Sequence, residues 1–101
     1  MTAVQSAAKA GILRLKLYIA GDAPNSVAAV RHLRAVLARF PSHPCELEII
    51  DVLEHPELAI QERVLVTPTM LKLSPTPDRR IIGSLKDTAA LLAVLGIEEL
   101  E

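Results

Sequence analysis

The sequence predicts one α/β domain, a mixed four-stranded sheet built in the order β-α-β-α-β-β-α. Three observations predict it. Leu13, Leu15, Leu17 and Ile19 alternate with Arg14, Lys16 and Tyr18, the two-residue period of a strand. Val27, Val30, Leu33, Leu37 and Phe40 recur at three- and four-residue steps, the period of a helix with one buried face. Val66-Thr67-Pro68-Thr69 then sets a proline at a strand entrance, where its missing N–H costs the ladder nothing.

The remaining elements follow in order. Ala20-Gly21-Asp22-Ala23-Pro24 breaks the first strand, and Asn25 or Ser26 is expected to cap the helix that follows. Pro41-Ser42-His43-Pro44 ends that helix. Leu47, Ile49 and Val52 form the expected inward row of a second strand, with Ile50 half-covered on the other face. Strand, helix, strand at this length is a βαβ unit with adjacent parallel strands. His55-Pro56-Glu57 opens a short helix ending near Glu62, with the proline suited to its first turn. Thr69 to Leu73 is the third strand, Ser74-Pro75-Thr76-Pro77-Asp78 a turn, and Arg79 to Ile82 the fourth strand, ended by Gly83. Ser84-Leu85-Lys86-Asp87 resembles a capping box with Asp in place of Glu. Thr88 to Leu95 is rich in helix formers, and Gly96 is a stop signal.

Length and charge bound the function. The 101 residues fit one small domain, spanning 12–101 after a loose tail at 1–11. Half the residues are hydrophobic but only Tyr18 and Phe40 are aromatic, so the core is aliphatic. A net charge of -1 gives no general attraction to nucleic acid. The charge is blocked: residues 9–39 carry six Arg or Lys against one acid, and residues 44–62 carry six acids and no Arg or Lys. Residues 63–86 are basic again and 87–101 acidic. Such blocks are read as solvated faces or as a docking surface of mixed sign. One cysteine, Cys45, precludes an intrachain disulfide and fits a reducing compartment. No apolar run approaches a membrane span, and the expected location is the cytoplasm.

The order of elements, with Val66-Thr67-Pro68-Thr69 before the hairpin, is thioredoxin-like. In redox members of that fold the proline is usually cis and faces a Cys-x-x-Cys at the start of the first helix. Here that place reads Ala23-Pro24-Asn25-Ser26. The chain more closely resembles the KaiB family. The residues that carry the resemblance are Leu15-Lys16-Leu17-Tyr18-Ile19-Ala20-Gly21-Asp22-Ala23-Pro24-Asn25-Ser26-Val27, then Ile50 to Ala59, then Thr67-Pro68-Thr69, then Arg79-Arg80-Ile81-Ile82-Gly83-Ser84-Leu85. These blocks are colinear over roughly residues 13–87.

The resemblance implies a binding protein rather than an enzyme, with no cofactor. KaiB-like proteins dock on the ATPase ring of KaiC, influence its phosphorylation cycle, and compete there with a KaiB-like sensor domain of a histidine kinase. It also implies two folds: a tetramer with a different C-terminal half, and a thioredoxin-like monomer that binds KaiC. The chain departs from the family at its C-terminal end, where relatives commonly carry Gly and Asp at the places of Val94 and Gly96. Because its last segment has strong helix signals at both ends, the thioredoxin-like monomer is the expected resting state. The resemblance places Glu46, Glu48, Asp51, Glu62 and Arg63 at the partner surface; Pro24, Pro68, Gly83, Ser84 and Gly96 are taken as fold-defining positions, Gly96 as the helix stop. Glu46 and Glu48 fall where some relatives have neutral or basic residues, which leaves open a divergent KaiC or another partner.

Other residues of chemical interest have structural readings. Ser26 is expected to cap its helix, rather than to bind glutathione in a thioredoxin-like manner. Cys45 reads as a structural thiol, and His32, His43 and His55 lack metal-ligand spacing. Asp22 and Asp51 read as turn residues at strand ends. Arg79 and Arg80 read as edge-strand charges that discourage aggregation. The alternatives to a KaiB-like docking module are a thioredoxin-like thiol or glutathione-binding protein without Cys-x-x-Cys, and a stress-response regulator with an unknown partner.

Overall fold

The computed structural model describes residues 12–97. The tail expected at 1–11 and the last four residues lie outside that span. The elements are β1 (Leu13–Ile19), α1 (Pro24–Ala38), β2 (Cys45–Asp51), α2 (Pro56–Gln61), β3 (Thr69–Ser74), β4 (Arg79–Ile82) and α3 (Thr88–Leu95). The sheet order is β2-β1-β3-β4. β1 and β2 are parallel, while β3 runs antiparallel to both β1 and β4. A register shift between Arg14 and Leu15 interrupts the β1–β3 ladder.

The sheet buries both faces, unequally. Leu13, Leu15 and Leu17 of β1 and Met70 of β3 pack with Leu33 of α1 and Leu91 and Leu95 of α3. On the opposite face Tyr18, Ile50 and Leu71 meet Ala59 of the short α2. This second core changes the expected pattern of β2. Ile50 is its buried residue, whereas Leu47 and Ile49 are half-covered by the larger core. Val52 joins Ile50 in the smaller core instead of the Leu47–Ile49 row.

Helix α1 is also rotated from its expected phase. Its buried stripe is Ser26, Ala29, Leu33 and Val36, and Val27 is 45% exposed. The helix begins at Pro24, which places Asn25 and Ser26 inside its first turn. Neither caps it, and no side chain bonds the free N–H groups there. The hydroxyl of Ser26 instead accepts the Ala20 N–H at 3.0 Å, tying the helix to the end of β1.

The capping box before α3 is displaced as well. Asp87 is the cap, accepting the Ala90 N–H at 3.1 Å, and Ser84 lies outside the helix. The Ser84 carbonyl bonds the His32 ring at Nδ1, 2.8 Å away, which fixes the loop against α1. Gly96 ends α3 in the left-handed region (φ 76°), its N–H bonding the Leu92 carbonyl. The Thr67–Pro68 bond is cis, and the buried Pro68 passes its carbonyl to the Gly83 N–H at 2.9 Å.

Candidate docking surface

The acidic block folds into one edge and one end of the molecule. β2 is an edge strand, and its charged side chains share the sheet face that carries α2. Arg14 stands opposite Glu46 and Lys16 opposite Glu48 across the β1–β2 ladder. The Arg14 Nε lies 3.5 Å from Glu46 Oε1, both side chains half in solvent. Pairs this exposed contribute little stability. With Leu73 these residues line a hollow of about 190 Å³ on the part of that face that α2 does not cover.

Asp51 is committed to the turn that it closes. One carboxylate oxygen accepts the Gly21 N–H and the Leu53 N–H, each at 3.0 Å. It holds the ends of β1 and β2 together and brings Leu53 over Gly21. A methyl group on Gly21 would stand 3.2 Å from Leu53 Cδ1, on a backbone with φ +53°.

Glu62 and Arg63 end α2, Arg63 with φ 55°. Their carbonyls are held by Arg80, which reaches across from β4. Its Nη2 donates to the Glu62 oxygen at 2.7 Å and its Nη1 to the Arg63 oxygen at 3.1 Å. Sequence reasoning favoured an edge-strand charge for Arg80 over a specific anion site and did not pair it with α2. A cation near carbonyls that α2 leaves unpaired was the available signal, but the partners are seventeen and eighteen residues away.

An apolar patch was missed. Leu53 is 71% exposed, Ile60 76%, Leu65 91% and Val66 50%. Leu65 and Val66 border a hollow of about 170 Å³ with Val52, Ala59 and Val64. Glu54 and Glu57, exposed between Leu53 and Ile60 in the chain, add negative charge. Large exposed apolar side chains grouped near charge mark docking sites.

The other candidate groups do not converge on a reactive centre. Tyr18 is buried, and its hydroxyl has no hydrogen-bond partner among the described residues. Burial pushes its pKa above 10.0, the negative charges of Glu62 and Glu48 push further, and Arg80 opposes them. Cys45 opens β2 as a half-buried free thiol, its pKa raised by burial and then by Glu46. That shift disfavours the nucleophilic thiolate. His43 rests edge-on against Phe40 with centroids 6.2 Å apart, and His55 Nδ1 lies 3.7 Å from Glu57 Oε2. Among the described residues, no three His, Cys, Asp or Glu side chains gather as a metal site. No helix there is long and apolar enough to cross a membrane.

Comparison with known proteins agrees with this geometry. The KaiB domain model matches residues 16–97. The circadian clock oscillator protein KaiB of Gloeothece citriformis is 43% identical over 83 residues, covering 82% of this chain and 78% of the relative. KaiB1 of Synechocystis is likewise 43% identical, over 82% of this chain and 79% of its own. Among solved structures, the N-terminal domain of Synechococcus elongatus SasA superposes with a TM-score of 0.70 at 29% identity, covering 89% of each chain. Chloroplastic thioredoxin z gives 0.73 at 21% identity over 94% of this chain and 86% of its own, which shows the shared thioredoxin-like fold. The chain belongs to the KaiB family.

Proposed function

We propose that this chain is a non-enzymatic clock regulator that docks on a KaiC-like ATPase ring and modulates its phosphorylation or signalling. The observation that carries the reading is the set of exposed apolar side chains Leu53, Ile60, Leu65 and Val66, which follow the acidic edge strand β2 in the chain. In this reading Glu46, Glu48 and the α2 terminus at Glu62 and Arg63 orient the partner, while the apolar side chains supply the buried centre. Asp51 acts from behind, by holding Leu53 in place through its backbone bonds. A KaiB-like sensor histidine kinase competes for the same ring, and the setting is the cytoplasm.

The reading includes a resting state. The described chain has the thioredoxin-like arrangement, and α3 is closed by Asp87 at one end and Gly96 at the other. We infer that a monomer with this arrangement is the form that meets the ATPase, with no prior rearrangement of the C-terminal half. Secondary chemical shifts across Leu91–Leu95 test this: helical values are expected, and strand values overturn it.

Size-exclusion chromatography with a KaiC-like ATPase from the same organism, with nucleotide present, tests the docking. Co-elution is expected for the native chain and is reduced by Leu65→Asp. Failure to co-elute at high protein concentration overturns KaiC as the partner.

A further inference from the structure

Among the described residues, the sheet ends in two edge strands of opposite charge, each paired on its inner side only. β2 presents Glu46 and Glu48 at one edge, both exposed. β4 presents Arg79 and Arg80 at the other, with Ile82 61% exposed.

The two edges also match in register. Within the sheet, Glu48 stands beside Lys16, Ile49 beside Leu17 and Ile50 beside Tyr18. The same rows continue through β3 and reach Arg80, Ile81 and Ile82. β4 is therefore parallel to β1 and repeats its basic-apolar-apolar order at the same height. A further β2 laid against β4 would meet the sequence of side-chain types that β2 already meets on β1. The positive row would again face Glu48, and the apolar rows would again face Ile49 and Ile50.

We propose that copies of this chain associate head to tail, the β4 edge of one pairing in parallel with the β2 edge of the next. Arg80 lies beside Glu48, Ile81 beside Ile49 and Ile82 beside Ile50. Like edges repel: two β2 edges bring acids together, and two β4 edges bring arginines together. The charges that block symmetric pairing thus favour the unlike pair, a heterologous contact that does not close at two copies. Arg80 contributes although Nη1 and Nη2 are engaged, because neutral carbonyls leave its charge intact and its Nε has no bond among the described residues. The contact is short, four residues on the β4 side, so the association is weak and depends on salt.

Sedimentation velocity of the full chain, from micromolar to millimolar concentration, tests this independently of any ATPase. At low salt the weight-average sedimentation coefficient is expected to keep rising past the dimer value. At about 1 M salt, where the Debye length is about 3 Å, it returns to the monomer value. Glu48→Arg blocks one edge and Ile82→Lys the other; both sites are exposed, and circular dichroism checks that each variant folds. Each variant alone is expected to lose at least tenfold in association constant. An equimolar mixture recovers association but stops at the dimer, because only one pair of compatible edges remains. A native chain that stays monomeric at low salt overturns the proposal. So does undiminished association of either variant alone, or a mixture that fails to associate.

Discussion

Arg80 on the last strand donates to the Glu62 carbonyl oxygen at 2.7 Å, and so joins the basic C-terminal half of the sheet to the end of α2. A second bond to the Arg63 carbonyl makes the contact two-pronged. α2 has only six residues and buries only Ala59, so its position depends on such ties more than on its own helical stability. Arg80→Ala is expected to lower unfolding stability by about 1–2 kcal/mol, the low end for charged donors because the bonds are exposed. Arg80→Lys recovers only part, since one ammonium cannot span both carbonyls in the fork geometry of a guanidinium. Urea midpoints at constant m-value measure both.

Ser26 and Asn25 separate two roles that look alike in the sequence. Ser26→Ala removes the acceptor of a partly buried Ala20 N–H and is expected to cost about 1–2 kcal/mol. Asn25→Ala, at an exposed place with no cap to lose, is expected to stay within about 0.5 kcal/mol of the native chain. Equal losses in denaturant titrations would contradict the assignment.

The same comparison applies at α3. Asp87→Ala removes the cap and is expected to cost about 1 kcal/mol. Ser84→Ala should cost much less, because Ser84 uses its backbone carbonyl, which the substitution retains. Thermal melts of the two variants rank them.

Tyr18 gives the protein an alkaline limit. Its folded pKa is raised above the unfolded value of 10.0, mainly by burial. At a pH above about 10 the unfolded chain has released this proton while the folded chain retains it, so stability falls as pH rises. The contribution is fully present below the unfolded pKa and is lost towards the raised folded one. Tyr18→Phe is expected to flatten this part of the stability profile and, by deleting a buried hydroxyl without a protein partner, to be at least as stable as the native chain at neutral pH. The Cys45 thiol adds a loss of the same sign from about its unfolded value of 9.0, so Cys45→Ser is the reference background.

The apolar patch separates binding from folding. Leu65→Ala, at a residue 91% exposed, is expected to change stability by less than about 0.5 kcal/mol. Under the proposed docking it weakens the complex by at least tenfold. A titration with the ATPase and a melting curve together read the two effects; a fall in stability with unchanged binding would place Leu65 in the fold rather than the interface.

Much of the fold was legible because its signals are local. The alternation of Leu13 to Ile19, the helix-forming run from Thr88 to Leu95, and the stops at Gly83 and Gly96 act through near neighbours, and each element stands where they placed it. Helix phase was less legible. Val27 fits an apolar stripe by spacing, yet Ser26 takes the buried place because a backbone donor awaits it at the end of β1. Of the candidate partner residues, the alternation of Glu46 and Glu48 with apolar neighbours already showed a row of charge. The turn role of Asp51 was legible at the strand end, but its bond to Gly21 thirty residues away and the exposure of Leu53, Ile60, Leu65 and Val66 were not, since both depend on which loops meet.

By itself the sequence determined the order of elements, the KaiB resemblance, the alternating blocks of charge and the lack of a cysteine pair. Only the tertiary structure decided which polar atoms satisfy one another. Ser26 meets Ala20 across six residues, Arg80 meets Glu62 across eighteen, Asp51 meets Gly21 across thirty and His32 meets Ser84 across fifty-two. Periodicity is a property of consecutive residues, so it can be read along the chain. Hydrogen-bond partners are chosen by desolvation, which groups sharing a buried site must resolve together wherever they lie in the sequence.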